Sequence, residues 1–189
     1  MDIRATAIPE VKVLTPRRFG DRRGYFCETW SGARMAEAGL DLAFVQDNES
    51  LSARAGTLRG LHYQAPPFAQ AKLVRVVQGA IRDVAVDARR GSPTWGRWVA
   101  EEISAENGAQ MLVPRGFLHG FVTLTPGTLV IYKDDNPFDA ASDGGVLWSD
   151  AGLGVDWGLP ADAVVLSDKD RGQPAFRDWV SPFEYGVNT

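Results

Sequence analysis

Residues 109–123 read AQMLVPRGFLHGFVT, two short β-rich runs (109–113 and 116–123) on either side of Pro114 and Gly116. Proline presets φ and glycine admits a left-handed residue, so the pair turns the chain between neighbouring strands. Outward from there the pattern repeats. Runs at 43–50, 56–63, 71–77, 80–87, 97–104 and 128–133 are also rich in β-branched or aromatic residues. Gln78-Gly79, residues 105–108 and Thr125-Pro126-Gly127 break them. Within 81–87, Ile81, Asp83, Ala85 and Asp87 alternate with Arg82, Val84 and Val86, the period of a strand. Turn signals at about 8–12-residue spacing predict an all-β sandwich or barrel, read here as one antiparallel jelly roll.

The flanks add little to this frame. Asp21-Arg22-Arg23-Gly24 separates two β-rich runs, 12–19 and 25–30, and SGARMAEAG at 31–39 reads as a short helix capped by Ser31 and stopped by Gly39. From about Ala161 the chain mixes Asp, Pro and Gly, which predicts loops and one short helix wrapping the barrel. No repeat or linker divides the chain, so residues 1–189 are expected to form a single domain.

Composition narrows the functional classes. With 189 residues, 44% hydrophobic and 23% charged, the chain is that of an ordinary folded domain. A net charge of -4 lacks the basic footprint of a nucleic-acid binder, though a few local arginines can still hold a phosphorylated ligand. The one cysteine, Cys27, forms no internal disulfide and suits a reducing compartment. The N-terminus has no signal-peptide pattern and no apolar run reaches the roughly 20 residues of a membrane helix, so a cytoplasmic protein without membrane partners is expected.

Two histidines are present, His62 in RGLHYQ and His119 in PRGFLHGF. A single histidine in a strand is most often structural. Here Pro114-x-Gly116-x-x-His119 resembles the second motif of the cupins, in which the histidine begins the next strand's inward face. His62 lies where the first cupin motif carries its paired histidines, but Gln64 occupies the position two residues on. A cupin metal site usually needs about three histidines and a carboxylate. With no H-x-H, neither a metal nor a cofactor is expected.

From residue 19 to about residue 174 the sequence resembles the dTDP-4-dehydrorhamnose 3,5-epimerases, the cupin-type sugar-nucleotide epimerases. The stretches that carry the resemblance are FGDRRGYFCETW, FVQDNESLS, GTLRGLHYQAPPFAQAKLVRVVQGAIRDVAVDARRGSPTWGRW, SAENGAQMLVPRGFLHGF and LSDKDRGQP. The resemblance implies a cupin-type double-stranded β-helix and epimerisation of a dTDP-4-keto-6-deoxy sugar beside its ketone. Such chemistry needs a base, a group that stabilises the enolate and an acid on the opposite face. An imidazole can serve as base because its ordinary pKa of about 6.5 leaves much of it neutral near pH 7. The resemblance implies His62 as this base, Asp170 as its orienting carboxylate and Tyr132 as the acid. Lys72, which opens the apolar strand AKLVRV, would stabilise the enolate oxygen.

For the substrate's diphosphate the resemblance implies Arg59 and Arg23, with His119 as a nearby donor. Gln46 and Asn48, two apart, should share one strand face toward sugar or phosphate oxygens. Phe26 and Glu28, which also alternate on one strand, would meet the nucleotide base from the neighbouring subunit of a homodimer. Arg59 and His62 are three apart and would leave a regular strand on opposite faces, so a bulge is expected near Gly60. The family commonly reads Tyr-Lys-x-x-Asp-Tyr-Tyr where this chain has Tyr132-Lys133-Asp134-Asp135-Asn136-Pro137-Phe138. Phe138 keeps a ring for stacking but has no hydroxyl. That loss leaves open a relative inverting carbon 3 or carbon 5 alone; separate alternatives are a metal-dependent cupin enzyme and a non-catalytic sugar-sensing cupin.

Overall fold

The computed structural model describes residues 1–187. The strands are β1 (Asp2–Ala5), β2 (Lys12–Thr15), β3 (Arg18–Asp21), β4 (Gly24–Cys27), β5 (Gln46–Ser52), β6 (Leu58–Gln64), β7 (Lys72–Gln78) and β8 (Ala80–Asp87). They continue as β9 (Arg89–Arg90), β10 (Trp98–Ser104), β11 (Gln110–Val113), β12 (Phe117–Thr123), β13 (Thr128–Asp134), β14 (Asp143–Gly145) and β15 (Phe183–Glu184). Two short helices, α1 (Gly32–Glu37) and α2 (Asp168–Arg171), complete the set with 3-10 turns at Ala161–Ala163 and Phe176–Asp178.

Two antiparallel sheets carry the fold, a six-stranded one ordered β1-β2-β11-β7-β13-β5 and a five-stranded one ordered β10-β8-β12-β6-β14. This is the expected cupin-like jelly roll. The inner core draws on both sheets, with Val13, Val74, Met111 and Val130 from the first meeting Ile81, Ala85, Ile103 and Phe121 from the second. The alternation read in 81–87 has a direct consequence. Ile81 and Ala85 enter this inner core, whereas Val84 and Val86 face a second cluster roofed by Trp157, Phe176, Trp179 and Phe183 from the C-terminal tail. A third cluster, Leu14, Met35, Leu73 and Leu112, is covered by α1 and by Trp30, Leu40 and Phe44. Burial of apolar side chains on both sides of each sheet is the main stabilising term, at about 1.5–3 kcal/mol per large side chain.

Several boundaries differ from the sequence reading, each for a local reason. The run 12–19 is two strands, β2 and β3, because Pro16 cannot donate to a ladder. The run 25–30 ends at Cys27, so Glu28 lies beyond the strand rather than alternating with Phe26 on it. The run 43–50 pairs only from Gln46, where β5 meets β13. Ser31 does precede α1, but its side chain makes no capping bond. The tail holds more than one short helix, adding β15, which pairs in parallel with β9, and a bridge from Val165 to Thr57.

Candidate active site

Strand β6 is bent where the sequence suggests it. His62 pairs with His119 and Arg59 pairs with Phe121, so three steps along β6 match two along β12. That extra residue changes the facing parity and brings Arg59 and His62 to the same side. Gly60 has φ 136°, and a Cβ there would stand 2.5 Å from the Cα of Gly120. Only glycine fits this crossing. The peptide between Gly60 and Leu61 is cis.

Both side chains open into a cavity of about 500 Å³ between the two sheets, whose lining also includes Tyr132, Lys72, His119 and Phe138. His62 comes from the five-stranded sheet and Tyr132 from the six-stranded one, so an imidazole and a phenol flank the same space. His62 Nε2 lies 2.5 Å from Asp170 Oδ1. Asp170 sits in the first turn of α2, where Ser167 caps the helix by accepting from the Asp170 backbone N–H and donates its hydroxyl to Asp170 Oδ2 at 2.8 Å. Burial pushes the Asp170 carboxyl up, but the hydrogen bonds from His62 and Ser167 outweigh it and hold it below the usual carboxylate range. The tautomer that donates Nε2–H to this carboxylate leaves Nδ1 with its lone pair for proton abstraction.

Tyr132 pairs with Asn48 on one side and Val74 on the other. Burial raises its pKa, the Asp134 charge adds to the rise and Arg59 opposes it, so the phenol keeps its proton at neutral pH. Lys72 Nζ stands 5.2 Å from the centre of the Tyr132 ring and donates to Gln70 Oε1 and Asp134 Oδ1, each at 2.8 Å. Gln46 and Asn48 share the cavity face and are bonded to each other at 3.2 Å. The Phe138 backbone N–H donates to Gln46 Oε1 at 2.9 Å, and its ring lies half-exposed at the rim.

His119 forms a second histidine–carboxylate pair, with Nε2 2.7 Å from Asp83 Oδ1. Asp83 is fully buried, its Oδ2 has no hydrogen-bond partner, and burial raises its pKa against the pull of His119. One nitrogen of His119 is thereby committed to Asp83, and the ring lines the cavity. Among the described residues, no group of three or more His, Cys, Asp or Glu side chains is placed to hold a metal ion.

Three expected site residues lie outside this cavity within the chain. Arg23 pairs with Asp21 at 2.6 Å on the tip of the β3–β4 hairpin, Phe26 is 71% exposed, and Glu28 pairs with Arg34 at 3.2 Å. The β3–β4 hairpin that carries Arg23 and Phe26 pairs with neither large sheet, and Glu28 follows it. Sequence reading passed over several residues that do belong to the site. Asp134 was legible as the next inward position after Tyr132, and Ser167 as a cap three residues before Asp170. Asp143 and Lys169, which form an ion pair at the rim, left no local signal because they are 26 positions apart.

Known proteins resemble this chain in sequence and in fold. The sequence model of the dTDP-4-dehydrorhamnose 3,5-epimerases matches residues 5–178. A dTDP-4-dehydrorhamnose 3,5-epimerase of Sinorhizobium fredii is 49% identical over 185 residues, covering 98% of this chain and 94% of its own. The crystal structure of the Bacillus anthracis enzyme of that name, with TDP and PPi bound, superposes with a TM-score of 0.89. It is 48% identical and covers 93% of this chain and 99% of its own. The Legionella pneumophila dTDP-6-deoxy-D-glucose-3,5-epimerase, in complex with dTDP-4-keto-L-rhamnose, gives a TM-score of 0.93 at 39% identity, covering 98% and 99%. By sequence along nearly its whole length and by fold, the chain belongs to the dTDP-4-dehydrorhamnose 3,5-epimerase family.

Proposed function

We propose that this protein is an isomerase that epimerises dTDP-4-keto-6-deoxyglucose at carbons 3 and 5 to dTDP-4-dehydro-L-rhamnose. The observation that carries the reading is one cavity flanked by His62 from one sheet and Tyr132 from the other, with His62 backed by Asp170. The 4-ketone acidifies the protons on both neighbouring carbons. His62 removes one, Asp170 stabilises the imidazolium that results, and the electron pair moves to the ketone oxygen as an enolate facing the Lys72 ammonium. Tyr132 returns a proton from the other face, which inverts the carbon. Phe138, without a hydroxyl, is the feature that keeps inversion of a single carbon as the second reading.

Arg59 supplies a guanidinium for the diphosphate, since its one bond is a 3.3 Å contact to the Leu51 carbonyl. Arg23, Phe26 and Glu28 serve a second copy of the chain in a homodimer. Exposure of Phe19, Tyr25 and Phe26 together on one hairpin supports this assignment, because a cluster of solvent-facing aromatics suits an interface. No helix among the described residues is long and apolar enough to cross a membrane.

The test is turnover in deuterated water, with the label located by NMR. Deuterium at both carbons is the expected outcome. Label at one carbon only establishes a mono-epimerase, and label at neither, with folded protein, overturns the reading.

A further inference from the structure

Asp134 is the only buried carboxylate on the strand that carries Tyr132, and both of its oxygens are used within the cavity wall. Oδ1 accepts from Lys72 Nζ at 2.8 Å and Oδ2 accepts from Asn48 Nδ2 at 2.5 Å. A carboxylate only accepts, so Asn48 must offer its nitrogen and turn its Oδ1 toward Gln46. Gln46 answers with Nε2 at 3.2 Å and is left with Oε1 to accept the Phe138 backbone N–H at 2.9 Å. Phe138 N–H only donates. The two amides are thus held in one orientation between an acceptor-only end and a donor-only end.

The same logic applies to Lys72. An ammonium has three N–H groups, and Gln70 and Asp134 take two of them. One N–H remains on each of Lys72 Nζ, Asn48 Nδ2 and Gln46 Nε2, and all three residues line the cavity. The wall therefore offers spare donors, matched to a ligand that presents oxygen acceptors there.

We propose that Asp134 is a positioning residue that sets the polarity of this wall, aiming the free N–H groups of Lys72, Asn48 and Gln46 at substrate oxygens. The proposal rests on the epimerase reading. Besides Asp134, the charged and titratable groups lining the cavity with Tyr132 are Glu49 on β5, Arg59, His62 and Tyr63 on β6, Lys72 on β7 and His119 on β12, with the Lys169–Asp143 pair at the rim. Among these, Asp134 raises the Tyr132 pKa and Arg59 lowers it.

Asp134→Asn keeps the size but loses the charge and the acceptor-only end. In the full-length protein it is expected to lower kcat for deuterium incorporation by roughly tenfold to a hundredfold, with a smaller change in KM, the scale on which misplacing a reacting group acts. Removing the negative charge also lowers the Tyr132 pKa, so the alkaline limb of the kcat profile moves to lower pH. Asp134→Glu, which restores an acceptor-only anion, should return the limb toward wild type. Should Asp134→Asn fail to fold, Asp134→Thr, whose β-branched side chain suits the strand, is read the same way. An unchanged kcat and pH profile in either folded variant overturns the proposal while leaving the epimerase reading intact. Loss of the fold in both overturns it too, since Asp134 would then be a folding residue. A wild-type chain inert on the sugar nucleotide overturns both readings.

Discussion

At the scale of single residues the cavity draws its groups from two sheets. His62 reaches Asp170 at 2.5 Å, and Tyr132 stands beside Lys72 with a phenol kept protonated by burial and by Asp134. Replacing His62 by Ala should abolish deuterium exchange at both carbons while dTDP still binds, as measured by calorimetry. Tyr132→Phe should depress inversion more than exchange, because abstraction precedes the return of the proton from the far face. Equal loss of the two rates contradicts that division. Arg59→Ala should weaken substrate affinity by about 1.5–3 kcal/mol, the usual worth of hydrogen bonds to a charged group, with a smaller effect on the chemical step.

At the scale of elements, the β6 bulge and the α2 helix each hold one part of the site. Gly60 meets Gly120 at the bulge, and a Cβ at either glycine would stand about 2.5–3.1 Å from the other's backbone. Gly60→Ala should therefore cost more than about 1 kcal/mol in a denaturant titration, from the positive φ alone, and separate Arg59 from His62. Ser167 both caps α2 and steadies Asp170. Ser167→Ala should cost about 1 kcal/mol as a lost cap. It should also let the Asp170 pKa rise, since a hydrogen bond to the carboxylate is removed. The acid limb of the activity profile would then shift to higher pH. An acid limb that stays in place shows that Ser167 does not tune Asp170.

At the scale of the whole molecule, the two stacked sheets enclose the cavity, and the C-terminal tail roofs the other face of the five-stranded sheet. The roof is anchored where β8 leaves the barrel. Asp87, fully buried, accepts from Arg89 at 2.8 and 2.9 Å, from Ser92 at 2.5 Å and from Thr94 at 2.6 Å, while Arg89 also reaches Glu10. Burial pushes the Asp87 carboxyl up, yet these donors outweigh it and hold it below its ordinary value of 3.8. The sign follows from that depression. Asp87 contributes stability that is fully present above the ordinary value and is lost as pH falls through the depressed folded one. Asp87→Asn should lower stability near neutrality by about 3–5 kcal/mol, because Arg89 is left largely buried without its main partner. It should also flatten the dependence of melting temperature on pH between about 2 and 5. For the proposed dimer, light scattering should give twice the chain mass. Phe26→Asp should lower it and take dTDP affinity with it, if the hairpin completes the neighbouring site.

What could be read from the chain itself was whatever depends on near neighbours. Strand alternation, the Pro114–Gly116 turn and the parity problem between Arg59 and His62 are properties of a few consecutive residues, so the barrel and the bulge at Gly60 were legible. Strand ends were less so, because pairing decides them, as the late start of β5 at Gln46 shows. Within the cavity, the resemblance to a family implied roles for His62, Tyr132, Lys72 and Asp170, but local sequence could not have joined His62 to a carboxylate 108 positions away. Tertiary structure decided that pairing, the orientation of the Asp134–Asn48–Gln46 wall and the separation of Arg23, Phe26 and Glu28 from the cavity. Each depends on which strands lie side by side and on which donor faces which acceptor once water is excluded. Those contacts exist only after the two sheets have closed on one another.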